Sequence, residues 1–312
     1  MKILNIGSLN IDRTYTVEHL VRPKETANAI RYEEFCGGKG LNQSVALSKA
    51  GAEVYHAGAV GKDGKNLLEV LANAGVSTHH IKMISGVSGH AVIQVDQRGQ
   101  NSIIIHSGAN GMISRQEIDR VLDSFTRDDM VLLQNEIANV DYCIEAAKRK
   151  GMKIAFNPSP INAAVDQCRL DAVDYFLVNE IEGAVLAGVD DEEPERMISI
   201  LKDKYPNASF VLTLGEKGSC FFNRDVVLYQ NSFFVEAVDT TGAGDTFSGY
   251  FLSGIAKGME EKDILRRASA ASAISVGRKG ASQSIPDSKE VEAFLKRNPE
   301  GTNWKVIKSQ GL

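Results

Sequence analysis

The sequence predicts an α/β protein with a doubly wound, mainly parallel sheet between two layers of helices. Two observations support this: short apolar runs recur along the chain, and segments with helical spacing of apolar residues separate most of them. Strands buried on both faces are continuous apolar runs, and parallel strands need a crossover, usually a helix. With 312 residues, 43% of them hydrophobic, the chain can bury such a sheet without disulfides or metals. We expect one domain over residues 1–312.

The predicted elements follow in order along the chain. Strand-like runs lie at Ile3 to Ile6, Val54 to Ala59, Met130 to Leu133, Lys153 to Phe156, Tyr175 to Val178 and Phe210 to Leu214. Apolar spacing predicts helices over 41–50, 139–150, 243–257, 260–276 and 289–296, the first two ending at a glycine. An acidic run at 190–193 precedes Pro194, which is typical of a helix start.

Polar and apolar residues alternate in segments that interrupt this order. Residues 90–96 and 101–106 flank a glycine-containing turn, which predicts a hairpin of half-exposed antiparallel strands. Together with 13–17 and 29–35, they could form a small antiparallel β lid over a ligand, drawn from about 13–35 and 90–106. The alternative is an extension of the main sheet, and the pattern does not distinguish the two.

Composition and missing motifs exclude several classes of protein. The net charge of −5 gives no basic excess for a nucleic acid partner, and no apolar run is long enough to cross a membrane. The four widely spaced cysteines fit no disulfide framework or CxxC pair, so we expect reduced thiols and a cytoplasmic location. The sequence also lacks a P-loop, a dinucleotide fingerprint, a zinc-binding histidine pair and a hydrolase elbow.

The segment from Asp239 to Gly249 carries the strongest signal for chemistry. Gly242, Ala243 and Gly244 stand where a helix begins, so unpaired backbone N–H groups of the first turn can approach an anion. Asp245 would lie beside that anion, where a carboxylate could act as the base for a hydroxyl that attacks a phosphoryl group. The alternative is a capped helix in which Asp245 only complements the helix dipole.

Two amino-terminal segments indicate a polyhydroxylated ligand. Lys39 and Asn42 follow Gly38 at a glycine-rich helix start and supply hydrogen-bond donors and an acceptor beside flexible backbone. Asn10 and Asp12 follow the first strand, on one side of extended chain, and could exchange hydrogen bonds with neighbouring hydroxyls. The alternatives are a tight turn and ordinary turn residues after a strand.

Two later segments indicate phosphate and magnesium. Lys217 lies between glycines just after the predicted strand that contains Thr213, which favours a loop facing phosphate. Asn179 and Glu182, three residues apart, could order a hydrated magnesium ion, which prefers few carboxylates and several waters. A β-turn and a solvated helix face are the respective alternatives.

Taken in order, these segments resemble the ribokinase-like carbohydrate kinase family over essentially the whole chain. One signature runs from Gly37 through Asn42 to Gly51 and Gly61, and the other spans 239–251, with Asn-x-x-Glu at 179–182 between them. The likeness is closest to members that act on ribose, through the motifs at 37–43, 108–110 and 278–281. The resemblance implies the ribokinase-like fold, with a small β lid that also forms a homodimer interface.

The resemblance further implies an ATP-dependent kinase for the primary hydroxyl of a furanose sugar, with D-ribose as the expected substrate. Asp245 is the implied general base, and the backbone of Gly242, Ala243 and Gly244 is the implied anion hole. The implied sugar contacts are Asn10, Asp12, Gly38, Lys39, Asn42, Glu136 and Asp245. The implied ATP contacts are Asn179, Thr213, Gly215, Lys217, Gly218, Gly244 and Ser269. Glu182 would position water bound to Mg²⁺. An activating K⁺ would be held, mostly by backbone oxygens, at Asp239, Thr241, Ser275, Arg278, Gly280 and Ser284.

Three departures from the family pattern leave the substrate open. Lys24, Leu41 and Asn135 stand where glycine, alanine and an apolar residue are usual. The alternative substrates are therefore another pentose, a ketohexose or a nucleoside such as pseudouridine. A more remote alternative is a sugar-binding regulator without catalysis, but such a protein is expected to have lost the base or the anion hole, and both are present.

Overall fold

A ten-stranded sheet forms the centre of the computed structural model, which describes residues 1–190, 193–299 and 304–308. Its strands, numbered in chain order, are β1 (Ile3–Ile6), β4 (Val54–Val60), β5 (Ser77–Met83), β8 (Met130–Gln134), β9 (Lys153–Asn157), β10 (Tyr175–Asn179), β11 (Ser209–Thr213), β12 (Ser219–Phe222), β13 (Val226–Gln230) and β14 (Trp304–Lys308). They lie in the order β14-β13-β12-β11-β10-β9-β8-β1-β4-β5. Pairing is parallel from β11 to β5 and antiparallel from β11 to β14. The doubly wound, mainly parallel sheet is confirmed.

All six predicted strands are present, but β5, β12, β13 and β14 were not predicted. β5 lies at an edge of the sheet and reads Ser-Thr-His-His-Ile-Lys-Met, so it lacks the continuous apolar run of a central strand. β12 has only four residues and continues directly from the turn after β11, where the sequence indicated a loop. The strands that were not predicted lie at or near the two edges of the sheet, and β5 and β12 lack the long apolar run of a central strand.

Helices cover both faces of the sheet. They are α1 (Lys39–Lys49), α2 (Lys65–Asn73), α3 (Arg115–Leu122), α4 (Val140–Lys150), α5 (Glu180–Ala187), α6 (Pro194–Lys204), α7 (Ala243–Ala256), α8 (Glu261–Val276) and α9 (Ser288–Arg297). The predicted helices all form, and α6 begins at Pro194 as expected, although Asp191 and Glu192 of the acidic run lie outside the described residues. The cysteines form no disulfide, and no described helix combines the length and hydropathy needed to cross a membrane.

Two apolar cores lie on opposite faces of the sheet. One packs α3, α4, α5 and α6 against it and includes the stacked rings of Phe176, Phe210 and Phe222. The other packs α1, α2, α7, α8 and α9 against it and includes Phe221 and Phe251. Burial on both faces explains why the central strands are continuous apolar runs.

A separate four-stranded sheet projects from this body. Its strands are β2 (Asn10–Thr16), β3 (Arg31–Gly37), β6 (Gly89–Val95) and β7 (Asn101–His106), in the order β3-β2-β6-β7. β2–β3 and β6–β7 are the expected antiparallel pairs, whereas β2 and β6 pair in parallel and join the two hairpins. The expected small sheet is thus present and is not an extension of the main sheet.

Helices α1 and α7 approach each other unusually closely. A Cβ atom at Gly249 would overlap the side chain of Ala46 and lie 2.8 Å from the backbone nitrogen of Leu47. Glycine is required there because two helix backbones cannot otherwise come so near. This contact brings the first turn of α1 beside the first turn of α7, where the residues singled out from the sequence lie.

Candidate active site

The start of α7 forms one wall of a pocket at the carboxyl ends of the parallel strands. Gly242 caps the helix with φ 74°, and a Cβ at Gly244 would meet no atom within 4 Å. The N–H of Ala243 donates to Thr240 over 3.2 Å, whereas those of Gly244 and Asp245 have no acceptor within the helix. Together with the helix dipole, these two N–H groups make the pocket wall a site for an anion.

The Asp245 carboxylate lies in the same pocket and is only 7% exposed. Its two oxygens accept from different amides: Oδ2 from Asn42 Nδ2 at 3.0 Å and Oδ1 from Gln43 Nε2 at 2.9 Å. Both donors belong to α1, so the packing of α1 on α7 sets the orientation of the carboxylate.

Lys39, at the first position of α1, reaches into this pocket. Burial lowers the pKa of its ammonium, but the carboxylates of Asp245, Glu136 and Glu182 outweigh burial and raise the pKa above the ordinary lysine value. The ammonium makes no ion pair or hydrogen bond with the described residues. A charged lysine without a protein partner beside unpaired N–H groups favours a bound anion.

A second group of polar side chains lies where β2 leaves the main sheet. Asn10 is 6% exposed and accepts from Asn110 Nδ2 at 2.7 Å, while the Asp12 carboxylate has no hydrogen-bond partner in the described part of the chain. A Cβ at Gly37 would overlap that carboxylate. Burial and the charge of Glu136 raise the pKa of Asp12 to about 7.

Glu136 faces Asp12 and is anchored by α1. Its Oε2 accepts from the Ser8 hydroxyl and from the Lys39 N–H at 3.0 Å. Gly38, with φ 91°, begins α1 between these residues, and the buried Oδ1 of Asn42 has no partner in the described parts of the chain. Carboxylate and amide oxygens that lack donors in the protein are suited to accept from the hydroxyls of a ligand.

Asn179 and Glu182 line the pocket opposite α7 and form a capping box at the start of α5. Asn179 Oδ1 accepts from the Glu182 N–H at 2.8 Å, and Glu182 Oε2 accepts from the Asn179 N–H at 3.1 Å. The cap uses one carboxylate oxygen and leaves Oε1 without a partner among the described residues. One free oxygen on a nearly buried carboxylate fits a magnesium ion that keeps most of its waters.

The other expected nucleotide residues are divided between the pocket and its surroundings. Thr213 lines the pocket, but Gly215, Lys217, Gly218 and Ser269 do not. Glycine is required at position 218 for packing, because a Cβ there would overlap the carbonyl of Gln230. Lys217 is exposed, and the buried hydroxyl oxygen of Ser269 has no hydrogen-bond partner among the residues that the structure describes.

The residues expected around potassium lie together behind the start of α7. Asp239 accepts from the N–H groups of Thr241 at 2.9 Å and Gly280 at 3.0 Å, which holds the two loops against each other. The hydroxyls of Ser275 and Ser284 are 2.6 Å apart. The Arg278 guanidinium pairs with Glu290 and, as a cation without an acceptor atom, cannot bind the ion, so only the backbone oxygen of Arg278 could serve as a ligand. Hydroxyl and carbonyl oxygens are ligands that suit a hard cation.

Comparison with known proteins decides the family. A model of the pfkB family of carbohydrate kinases matches residues 1–288. The chain belongs to this family.

Relatives of known name within the pfkB family are similar over nearly their whole length. Ribokinase from Haemophilus influenzae is 34% identical, covering 93% of this chain and 97% of that protein. Deoxyribokinase from Salmonella typhi is 31% identical, covering 96% and 100%. The structure of Arabidopsis thaliana ribokinase complexed with ribose and ATP matches with a TM-score of 0.84 and 31% identity, covering 95% and 98%. As a pfkB carbohydrate kinase with a ribokinase-like fold, this protein transfers phosphate to a sugar.

Several residues that shape this kinase site were given no role from the sequence, although Gln43 and Asn110 lie in motifs on which the resemblance rests. Gln43 donates to Asp245 and to Asn157, which lines the pocket, while Ser8 donates to Glu136 and Asn110 donates to Asn10. Gln43 adjoins Asn42 in the same motif, but its partners come from distant strands. The three departures, in contrast, lie outside the pocket: Leu41 is completely buried, Lys24 is exposed, and Asn135 donates to the Pro160 carbonyl at 2.7 Å.

Proposed function

We propose that the protein is an ATP-dependent kinase that phosphorylates the primary hydroxyl of D-ribose, giving ribose 5-phosphate and ADP. The observation that carries the proposal is one pocket in which the Asp245 carboxylate, the first-turn N–H groups of α7 and the unpaired Lys39 ammonium converge. A base, an anion-binding backbone and a cation at one point form the arrangement that phosphoryl transfer requires.

In this proposal Asp245 is the general base. It takes the proton of the sugar hydroxymethyl group as that oxygen bonds to the γ-phosphorus, and the bond from phosphorus to the bridging oxygen of ADP breaks. The backbone of Gly242, Ala243 and Gly244 forms the anion hole for the charge on the transferred group. Lys39, first expected among the sugar contacts, lies where it would also contact this group.

The sugar would be held by polar atoms that lack partners in the protein. Among the described residues, the Asp12 carboxylate, Glu136 Oε1 and Asn42 Oδ1 are acceptors without a donor, and the Asn10 amide nitrogen is a donor without an acceptor. Gly38 brings backbone close to them. Such a set suits a ligand with several adjacent hydroxyls, because each buried polar atom then gains a partner.

The nucleotide would occupy the side of the pocket formed by Asn179 and Thr213, with Gly215, Lys217, Gly218 and Ser269 around it. Glu182 would hold Mg²⁺ through water, using its free carboxylate oxygen. Bound there, the ion neutralises phosphate charge during transfer. The protein's own contribution is the capping box, which fixes the Glu182 carboxylate at the pocket edge.

We also propose a monovalent cation site at Asp239, Thr241, Ser275, Arg278, Gly280 and Ser284. The Asp239 contacts that hold the two loops together support it, as does a set of donors made only of oxygens. Potassium bound there would fix the loop that precedes Gly242 and hence the start of α7.

A homodimer through the small sheet completes the proposal. β7 lies at the edge of that sheet, and its residues Ile103, Ile104 and Ile105 are 50%, 65% and 61% exposed. An exposed apolar edge strand is prone to pair with another chain, and a second copy would cover it. Ile104→Lys should convert a dimer to a monomer in light scattering, and an unchanged mass would contradict this interface.

A panel of acceptor sugars tests the proposed substrate. ADP release would be measured with ribose, deoxyribose, arabinose, xylose, fructose, tagatose, uridine, pseudouridine and adenosine, each with and without potassium. Deoxyribose is the second candidate, because the deoxyribokinase of Salmonella typhi is similar along its full length. We expect the highest kcat/KM for ribose, with activation by potassium. A higher kcat/KM for another acceptor would refute ribose and leave the kinase chemistry in place.

A further inference from the structure

Gln43 occupies the centre of a buried hydrogen-bond network behind the pocket. It is completely buried. Its Nε2 donates to Asp245 Oδ1 at 2.9 Å and to Asn157 Oδ1 at 3.1 Å, and its Oε1 accepts from Gln134 Nε2 at 2.7 Å. All hydrogen atoms of this amide nitrogen are thus used, one of them on the carboxylate.

The orientation of the Gln43 amide follows from the Asn157 end of the network. Asn157 Nδ2 donates to the carbonyl of Leu177 at 2.8 Å, and a carbonyl can only accept. Asn157 must therefore present its oxygen to Gln43. Because that oxygen also only accepts, Gln43 must present its nitrogen to Asn157 and, with it, to Asp245.

The opposite end of the network requires the same orientation. Asn5 Nδ2 donates to the carbonyl of Gly40 at 2.8 Å, so Asn5 Oδ1 is left to accept from Gln134 Nε2 at 3.1 Å. Gln134 therefore also donates from its nitrogen to Gln43, and Gln43 must accept through its oxygen. Two backbone carbonyls at opposite ends thus fix a donor against the Asp245 carboxylate.

We propose that Gln43 is a positioning residue that holds the Asp245 carboxylate in one orientation, aimed at the acceptor hydroxyl. The inference rests on the proposed role of Asp245 as base. Asn42 holds the second carboxylate oxygen, so the two adjacent amides of α1 fix the plane of the carboxylate. A carboxylate that is already oriented needs less reorganisation when the hydroxyl loses its proton.

The network orients the base and does not conduct protons. Among the described residues, the only other titratable member of the network is His56, whose ring lies 2.8 Å from the Ser44 hydroxyl, and the amides of Gln43, Gln134 and Asn5 separate it from Asp245. Burial lowers the pKa of His56 to about 4, so its ring is neutral at physiological pH. The charged groups that face Asp245 across the pocket are Lys39, Glu136 and Glu182, and none of these three side chains hydrogen-bonds to it.

Two variants of Gln43 test this role. Gln43→Leu removes the donor to a charged acceptor, which should lower kcat by about tenfold to a hundredfold and leave both KM values nearly unchanged. Gln43→Glu keeps the shape of the side chain but places an oxygen against two acceptors, the oxygens of Asp245 and Asn157. The introduced carboxyl group and Asp245 should then share a proton, so the acid limb of the pH profile of kcat should move up by about one pH unit or more. If Gln43→Leu does not fold, the nearly isosteric glutamate variant still gives the pH profile. Val45→Ala loosens the same helix and should leave that profile in place.

A double-mutant cycle with Asp245→Asn separates positioning from general damage. Once the carboxylate is gone, Gln43→Leu should lower kcat by less than about twofold further, because a positioning residue acts only through its partner. A full additional loss would overturn the proposal, as would normal turnover of Gln43→Leu beside a slow Asp245→Asn. Normal turnover of Asp245→Asn would overturn the proposed base itself, and the inference would fall with it.

Discussion

Replacing Asp12 with asparagine should stabilise the sugar-free protein, and more strongly at alkaline than at acidic pH. The Asp12 carboxylate is largely buried, has no hydrogen-bond partner in the part of the chain described, and faces Glu136. These surroundings disfavour its charged form. Asparagine has nearly the same shape and no charge, so the substitution isolates what ionisation costs the folded state.

The magnitude follows from the pKa, which the fold raises from 3.8 to about 7. A carboxyl with a higher pKa in the folded state destabilises it as pH rises above the unfolded value, and the cost is complete above the folded value. At about 1.4 kcal/mol per pKa unit, the full cost is about 4 kcal/mol. At about pH 5 the folded carboxyl is protonated and about 1.7 kcal/mol of this remains. The variant should therefore gain about 2 to 3 kcal/mol over the wild type between about pH 5 and pH 8.

Thermal unfolding without sugar measures this difference. For a chain of this size, the gain corresponds to about 5 °C in the difference between the two Tm values. Asp203→Asn, at an exposed position in α6, is the matched control and should show no such pH dependence. Glu136→Gln removes the facing charge and should shrink the effect. A Tm difference that is equal at both pH values would refute the reasoning about Asp12. Asp12→Asn should also lose sugar affinity, since one of its two acceptor oxygens is replaced by an amide nitrogen, which can only donate.

Four further substitutions test other parts of the site. Asp245→Asn should retain binding of sugar and ATP but lower kcat by about a hundredfold to ten-thousandfold, and near-normal turnover would remove it from the base role. Lys39→Met should lower kcat more than it raises the KM for sugar, whereas a change in sugar KM alone would make Lys39 a sugar contact. Gly249→Ala should lower kcat and cost about 1 to 3 kcal/mol in chemical unfolding, because the methyl group forces α1 from α7; unchanged kcat would show that their spacing does not position the base. Gly218→Ala should lower Tm because the added methyl group overlaps the Gln230 carbonyl. Gly99→Ala is the control, because Gly99 also has a positive φ but no atom lies near its Cβ position, so it shows the cost of backbone strain alone.

The central sheet could be predicted because its strands are buried on both faces. The runs at Met130 to Leu133 and Tyr175 to Val178 are apolar throughout, and their burial depends on composition more than on partners. β12 could not be predicted in the same way, because its pairing with β11 depends on a turn whose glycines also suit a phosphate loop. The parallel pairing of β2 with β6 could not be predicted from local pattern either, since about seventy residues of chain separate the end of β2 from the start of β6.

In the candidate site, too, residues of a local motif could be predicted, whereas residues that distant strands bring together could not. Asp245 and Gly244 were found because they are adjacent in one motif, where a local pattern specifies a helix start. Gln134, Asn157 and Asn5 were not, because single polar residues at strand ends have many possible uses and only the sheet order brings them together. Asn179 and Glu182 were expected on one helix face. The same spacing also forms a capping box, in which one oxygen of the Glu182 carboxylate accepts from the Asn179 backbone N–H.

The parallel pairing of β2 with β6 has a mechanical consequence. It joins the two hairpins into one continuous four-stranded sheet, and Asn10 and Asp12 belong to β2, one of the two strands that form this junction. If the small sheet tilts as the proposed lid, it should carry the Asp12 side chain away from Glu136 and Asn42, which belong to the body of the protein. In the proposed kinase, such a movement would uncover the sugar and remove its contact with Asp12 at the same time, so product release would not need a separate step that breaks this contact.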